Sequence, residues 1–555
     1  MNQPYDGFRA PGRGLGRTIG AEFAASAARH GARTALVDGE TRLSYEQLAA
    51  RSDALAENLR GLGLALGDSM LIAMPNCWEY VVLVLACLRA GITPALMLPT
   101  HREHELCRIA DHVGAGAIAV AGATPAFDHP ALARRIAELC DSVRLVLVAG
   151  DEPEPGTRDL RALMRPRDAP AAIRHRPDAP RPDSDSRALF LLSGGTTGLP
   201  KVITRTHEDY LYGMRHSAKV SALDADTVYL VALPAAHTFP LGCPGLLGTL
   251  LCGGRVVLAP SPRPEVAFAA IERERVSVTA AVPAVVHRWL EAYDRGRWDL
   301  TSLRRLQVGG SRLPSAQAAR VEPVLGCRVQ QVYGMSEGLL NFTRIDDPDE
   351  VRLRTQGRPV GPADEIRVVD ASGLDVPDGA TGELLVRGPG VTPGYYRAPR
   401  HNAQAFTPDG WLRTGDLVRR RPDGNLVVEG RIKDVINRGG EKICADEIEE
   451  LLQEIPQIDR AAVVAVPDPE LGERVCACVV LRPGAPAPTS LGEIRSMLTA
   501  RGVAGYKLPE RLEVVGQLPA TAVGKVDKNA LRGLVAHPRA AAHPDADESV
   551  RGRPM

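Results

Sequence analysis

The densest chemistry in the chain follows an apolar strand pattern: Ser193-Gly-Gly-Thr-Thr-Gly-Leu-Pro-Lys201. Gly194, Gly195 and Gly198 let backbone N–H groups approach a ligand closely. Ser193, Thr196 and Thr197 add hydroxyl donors, and Lys201 adds positive charge. This set suits phosphate oxygens. It is not the Gly-x-x-x-x-Gly-Lys-Ser/Thr loop, because Pro200 precedes the lysine and Val202 follows it. A plain surface turn is the alternative reading, and hydroxyls, glycines and a lysine packed behind a buried strand speak against it. Cysteine offers nothing comparable. The ten cysteines show no Cys-x-x-Cys, and Cys476-Ala-Cys478 lies in an apolar run that reads as a strand. Neither a zinc site nor a disulfide framework is expected, and a reducing cytoplasm fits.

The elements that must hold this loop are legible as hydrophobic rhythm. Ser44 and Gln47 stand at capping-box spacing and open an amphipathic helix to about Leu62. Strand patterns at 70–74, 94–98, 117–121 and 145–148 alternate with helix patterns at 77–90 and 103–112, which favours a parallel sheet covered by helices. Residues 151–187, dense in Pro, Asp and Arg, read as a surface linker, and the alternation resumes at 188–192. From Glu365 short strands between Gly/Pro turns suggest a small β-rich subdomain. After Arg431 a compact α+β unit begins, with Ile448, Leu451, Leu452 and Ile455 on one helix face, strands at 461–466 and 474–481 and a helix near 491–500. The expected fold is α/β. A large N-terminal domain (1–430) holds two helix-covered, parallel-type sheet subdomains and the β-rich one; a mobile α+β C-terminal domain spans 431–536, and a disordered tail 537–555.

With 555 residues, a prior of ~150 residues per domain gives three or four units. Lys plus Arg total 67, as do Asp plus Glu, so no broad basic face for nucleic acid or anionic lipid is expected. The N-terminal residues lack an apolar signal core, and the longest apolar run, 80–88, is far short of a membrane span.

The Ser193–Lys201 loop resembles the phosphate-binding signature of the adenylate-forming superfamily: acyl-CoA synthetases, adenylation domains of peptide synthetases, and luciferases. Four further segments are similar to that family's signatures, in its order. They are Tyr333-Gly-Met-Ser-Glu-Gly338, Thr414-Gly-Asp416, the run from Gly430 through Arg431 and Lys433 to Gly439, Gly440 and Lys442, and Leu518-Pro-Ala-Thr-Ala-Val-Gly-Lys525. The resemblance implies ATP and Mg2+ as cofactors and two half-reactions separated by rotation of the C-terminal domain about Lys433. Lys525 would neutralise the α-phosphate and the carboxylate during adenylation. Glu337 would hold Mg2+ as a hard oxygen ligand. Asp416 and Arg431 would bind the ribose, Tyr333 with Gly334 would face adenine, and Gly309, Gly310 and Ser311 would let the purine lie against backbone. Gly439, Gly440 and Lys442 would face the incoming thiol.

Within the superfamily, residues 194–207, 236–245 and 333–344 look like the stand-alone aryl-acid AMP ligases of siderophore biosynthesis. These activate 2,3-dihydroxybenzoate or salicylate and load an aryl carrier protein. The resemblance implies an aryl-acid pocket of His237, Thr238, Phe239, Cys243 and Leu340, with His237 beside the carboxylate. Cys243 stands where the dihydroxybenzoate enzymes carry Ser, and Leu340 where they carry Val; both resemble the salicylate-type pocket. Thr238 departs from the family's Asn, which reads the 2-hydroxyl. An aminobenzoate, a hydroxypicolinate, a plain benzoate or dihydroxybenzoate therefore stays open beside salicylate. Coenzyme A is the alternative acceptor. A dead scaffold predicts damage to Lys525, Glu337 or Asp416, and all three are intact; a luciferase-like oxygenase fits the aryl-acid motifs less well.

Overall fold

The computed structural model describes residues 16–150, 155–166, 181–192, 201–438, 441–468, 471–484, 490–501, 503, 505–521 and 524–536, with backbone alone at 433, 441, 442 and 472. The loop residues 193–200, Gly439, Gly440, the side chains of Lys433 and Lys442, the tail 537–555 and the linker residues 151–154 and 167–180 lie outside this description. The described part of the expected linker is not all surface: it holds the strand Arg158–Asp159 and the short helix Leu160–Leu163, with Leu160 and Met164 buried. The described residues fall into two compact units. One runs up to Lys433 and includes Ala520–Lys525; the other comprises Asp434–Pro519 and the residues from Val526.

The first unit is α/β, built on two large sheets. One has seven strands in the order Arg158–Asp159, Leu145–Ala149, Ala115–Ala121, Ser69–Ala73, Thr93–Leu96, Arg187–Leu192, Val202–Thr206. Every pair is parallel except the last. The other has nine, running from Arg358–Pro359 through Leu340–Phe342, Arg328–Gly334, Arg305–Val308, Val278–Ala281, Val228–Val231 and Arg255–Leu258 to Thr34–Asp38 and Thr41–Ser44. Its centre is parallel and its ends are antiparallel. The first two strands of the chain thus belong to the sheet otherwise made from the chain's middle third: Leu36 pairs with Val256.

The apolar run at 80–88 forms the helix Trp78–Ala90, buried at every position from Tyr80 to Leu88. Apolar on all sides, it belongs inside the core rather than on a surface. Ser44 caps Tyr45–Gly61, with the reciprocal Gln47 bond formed. Thr18 caps a helix, Ile19–His30, that the sequence pattern does not announce because alanines blur its apolar stripe. A four-stranded antiparallel sheet, Glu365–Val369, Thr381–Arg387, Leu412–Arg420 and Leu426–Arg431, forms the small β-rich part.

The second unit is α+β. Strands Glu441–Cys444, Val435–Arg438, Gly472–Leu481 and Ile458–Asp468 form one sheet, with Arg511–Val514 parallel to Gly472–Leu481. The helix Ala445–Gln453 ends two residues before Ile455, which is nevertheless buried. Lys528, at the start of Lys528–Ala536, reaches Asp446 at 3.0 Å and Glu449 at 2.8 Å and fixes that helix against Ala445–Gln453. All ten cysteines are free thiols. Among the described residues no helix is long and apolar enough to cross a membrane, and no His/Cys/Asp/Glu group forms a metal cluster.

Candidate active site

The strand Arg328–Gly334 carries Tyr333 to its C-terminal end, where parallel sheets place ligands. The Tyr333 hydroxyl donates to Asp416 Oδ2 at 2.6 Å, and Arg431 Nε lies 2.7 Å from Asp416 Oδ1. Asp416 and Arg431 are register partners on neighbouring strands. The Asp416 N–H donates to Thr414 Oγ1, whose hydroxyl donates to Leu384 O at 2.8 Å, which pins the Thr-Gly-Asp turn. Asp416 is 3 % exposed. Burial, and then the adjacent carboxylate, push the Tyr333 phenol far above its ordinary range, so it stays a donor. Three residues expected at the nucleoside thus come together, with the tyrosine hydroxyl committed to Asp416.

Gly309 and Gly310 close the neighbouring strand Arg305–Val308, and Ser311 behind them is exposed. A Cβ on Gly309 would lie 2.8 Å from Val332 O and 3.1 Å from Phe239 Cζ, so only glycine lets strand end and aromatic ring meet. That contact joins the residues expected at the nucleoside to those expected at the aryl acid. There, His237 caps the short helix Thr238–Gly242, its Nδ1 accepting the Phe239 N–H at 3.3 Å. Phe239, Cys243 and Leu340 are buried. Leu340, paired with Gly334, leans on the helix His207–Val220: its Cδ1 lies 3.4 Å from where a Cβ on Gly213 would be. Tyr210 on that helix places its hydroxyl 3.4 Å from Thr238 Oγ1. Its ring packs on Gly242, where any Cβ would collide with it. Sequence reasoning missed Tyr210, since nothing in its spacing separates it from a core aromatic. Burial raises the Cys243 thiol, which stays neutral.

Lys525 groups with this unit. Its N–H donates to Thr521 Oγ1 at 3.2 Å, its carbonyl accepts from the Thr521 N–H at 2.7 Å, and Cε lies 3.4 Å from a Cβ built on Gly310. Burial, and secondarily the Lys525 charge, lower the His237 imidazole to about 4, so it is neutral at pH 7.

Glu337 lies on the turn between Gly334 and Leu340. The Tyr395 hydroxyl donates to its Oε1 at 2.8 Å, and the Thr392 N–H to its carbonyl at 2.6 Å. Oε2 has no hydrogen-bond partner among the described residues. Lys201 Nζ lies 2.9 Å from His401 Nε2 and 5.5 Å from the Tyr395 ring centroid, and that ring meets His401 edge-on at 4.5 Å. Burial, and then Lys201, depress the His401 imidazole, which suits it to accept from the ammonium. Lys201 and Glu337 are therefore linked through Tyr395, which sequence reasoning did not single out. A carboxylate with one oxygen anchored and one open, in a half-buried turn, fits Mg2+, which takes one or two carboxylates beside phosphate oxygens.

The AMP-binding enzyme family matches residues 23–396, and the AMP-binding enzyme C-terminal domain matches 447–525. A salicylyl-CoA synthase / salicylate adenylyltransferase of a Streptomyces species is 56% identical over 96% of this chain and 96% of its own. The 2-hydroxy-7-methoxy-5-methyl-1-naphthoate–CoA ligase of Streptomyces carzinostaticus is 51% identical over 95% and 94%. A salicyl-AMP ligase / salicyl-S-ArCP synthetase of Mycobacterium tuberculosis is 47% identical over 94% and 92%. The chain belongs to the AMP-binding enzyme family, in its aryl-acid AMP ligase branch.

Proposed function

We propose that the protein activates an ortho-substituted, salicylate-like aryl acid with ATP and passes the acyl group to a thiol. In the first step a carboxylate oxygen bonds to the α-phosphorus as the bond to pyrophosphate breaks. In the second, a thiolate sulfur bonds to the acyl carbon and AMP leaves. Lys525 offsets the charge gathered between carboxylate and α-phosphate. Neutral His237 lines the carboxylate end without adding a second positive charge. Asp416 accepts from the ribose hydroxyls with Arg431 beside it, and Tyr333 presents its ring to adenine. Lys201 and the 193–198 loop take the phosphates, and Mg2+ held through Glu337 would neutralise phosphate charge.

The single observation carrying this reading is the close approach of the Phe239 ring to Gly309, at the strand end beside Val332 and Tyr333, which supports an aryl acid lying next to the nucleotide. Cys243 and Leu340 close the pocket to a further ring hydroxyl, while Thr238 and Tyr210 keep polar atoms for one ortho group. All three relatives are named for a 2-hydroxy aryl acid, which supports the same substrate class.

The acceptor in this reading is the phosphopantetheine thiol of an aryl carrier protein, in siderophore or nonribosomal peptide biosynthesis in the cytoplasm. Coenzyme A is the second reading, favoured by the names of the two relatives above 50% identity. Pyrophosphate exchange across a panel of aryl acids tests the activation step: salicylate should lead, with benzoate and 2,3-dihydroxybenzoate behind. A panel in which no aryl acid supports exchange overturns the reading. Thioester formation with a carrier protein against coenzyme A decides the acceptor.

A further inference from the structure

Arg205 is the penultimate residue of the strand Val202–Thr206, four residues beyond Lys201, is 3 % exposed, and has no part in the chemistry above. Its planar fork reaches three separate segments. Nε donates to Asp209 Oδ1 at 2.7 Å, Nη1 to Ser336 O at 2.8 Å and Nη2 to Gly390 O at 2.8 Å. Asp209 is itself fixed, its Oδ2 accepting from the Thr206 N–H at 2.7 Å and the Thr206 hydroxyl at 2.8 Å. The guanidinium is therefore held on one side by a rigid helix start and grips two loop carbonyls on the other.

Those two carbonyls flank Glu337. Ser336 precedes it in the chain. Gly390 opens the segment that gives Glu337 both its partners, the Thr392 N–H on its carbonyl and the Tyr395 hydroxyl on its carboxylate. The loops are in direct contact, since a Cβ on Gly338, whose φ is +138°, would lie 2.0 Å from Gly390 O. The 390–396 segment also runs along the strand of Arg205: the Thr204 N–H donates to Gly394 O, the Tyr396 N–H to Val202 O, and the Thr392 hydroxyl to Thr204 O. Beside the direct Tyr395–Glu337 bond, Arg205 ties the Glu337 turn to the same segment through the two backbone carbonyls. A lysine has a single ammonium where the fork places three N–H groups in fixed directions.

We infer that Arg205 is a positioning residue that sets the Glu337 carboxylate for Mg2+-bound nucleotide, acting through the Ser336 and Gly390 carbonyls. The inference rests on the proposed role of Glu337. Partners that orient a metal-binding carboxylate typically cost 10–100-fold in metal affinity when changed. Arg205→Lys should therefore raise, by about tenfold or more, the Mg2+ concentration that gives half the gain in ATP affinity.

The test is calorimetric ATP binding to the full chain, without aryl acid, at stepped Mg2+, for the unmodified protein, Arg205→Lys and Glu337→Gln. Arg205→Lys should shift the Mg2+ midpoint while changing the Mg2+-free ATP Kd by less than about twofold; a merely structural lesion would move both together. A midpoint unmoved by Arg205→Lys but moved by Glu337→Gln overturns the inference and leaves the role of Glu337 standing. A midpoint unmoved by Glu337→Gln overturns both. If Arg205→Lys does not fold, Asp209→Ala, which removes the acceptor of Nε and keeps the carbonyl contacts, should shift the midpoint in the same direction; an unshifted midpoint in that variant overturns the inference.

Discussion

Asp416 and Arg431 face each other across two antiparallel strands, joined at 2.7 Å, with Asp416 buried and Arg431 half exposed. Removing either partner has different consequences. Asp416→Ala removes a charged acceptor from the Tyr333 hydroxyl and the ion-pair partner of Arg431, which should cost about 1–3 kcal/mol of stability. Arg431→Ala leaves an aspartate still held by Tyr333 and should cost about 1 kcal/mol or less. Both should raise the KM for ATP. Thermal denaturation and ATP titration of the two variants check the asymmetry.

Lys525→Ala should lower pyrophosphate exchange about 10²–10³-fold, while thioester formation from supplied aryl-adenylate changes little. Equal losses in the two assays would show that Lys525 serves more than adenylation. Because Lys525 charge also depresses His237, the variant should move the His237 imidazole upward, which histidine proton resonances across a pH series would report.

Thr238→Asn puts a longer carboxamide where a threonine hydroxyl now lies 3.4 Å from Tyr210. One added hydrogen bond to an ortho hydroxyl is worth about 0.5–1.5 kcal/mol. The salicylate-to-benzoate ratio of kcat/KM should rise about 2–10-fold. An unchanged ratio would mean that position 238 does not read the ortho group.

His207 is fully buried at the start of its helix, its Nδ1 accepting the Ile19 N–H at 3.3 Å. Burial lowers its pKa from 6.5 to about 4. The unfolded chain therefore binds this proton first, so the stability contribution is complete above pH 6.5 and is lost as pH falls from there towards about 4. Melting temperature should decline over that window, and His207→Gln should flatten the decline even if it lowers the plateau. An identical slope in the variant would remove His207 as the cause.

The sequence made the strand ends legible because their signals are local. The Ser44–Gln47 capping box, the apolar helix from Trp78 and the Tyr-Gly and Thr-Gly-Asp turns each depend on residues within a few positions of one another. The supporting residues Tyr210, Tyr395, His401 and Arg205 were not legible. They matter only because separate loops bring them together, and no spacing records that. The same cause hid the sheet partner of Thr34–Asp38, which tertiary packing alone selects. The helix face read through Ile455 overran by two residues because burial continues past the last helical turn at Gln453.

Leu36 finds its neighbour only when Val256 exists. On a ribosome adding ~5–20 residues per second, the opening strand waits on the order of 10–40 s with one edge unpaired. The nascent chain must therefore shield a sticky, half-made surface through about two fifths of its synthesis. Overproduction at lower temperature, or with more chaperone, should raise the soluble yield for this topological reason and not because the finished protein is fragile.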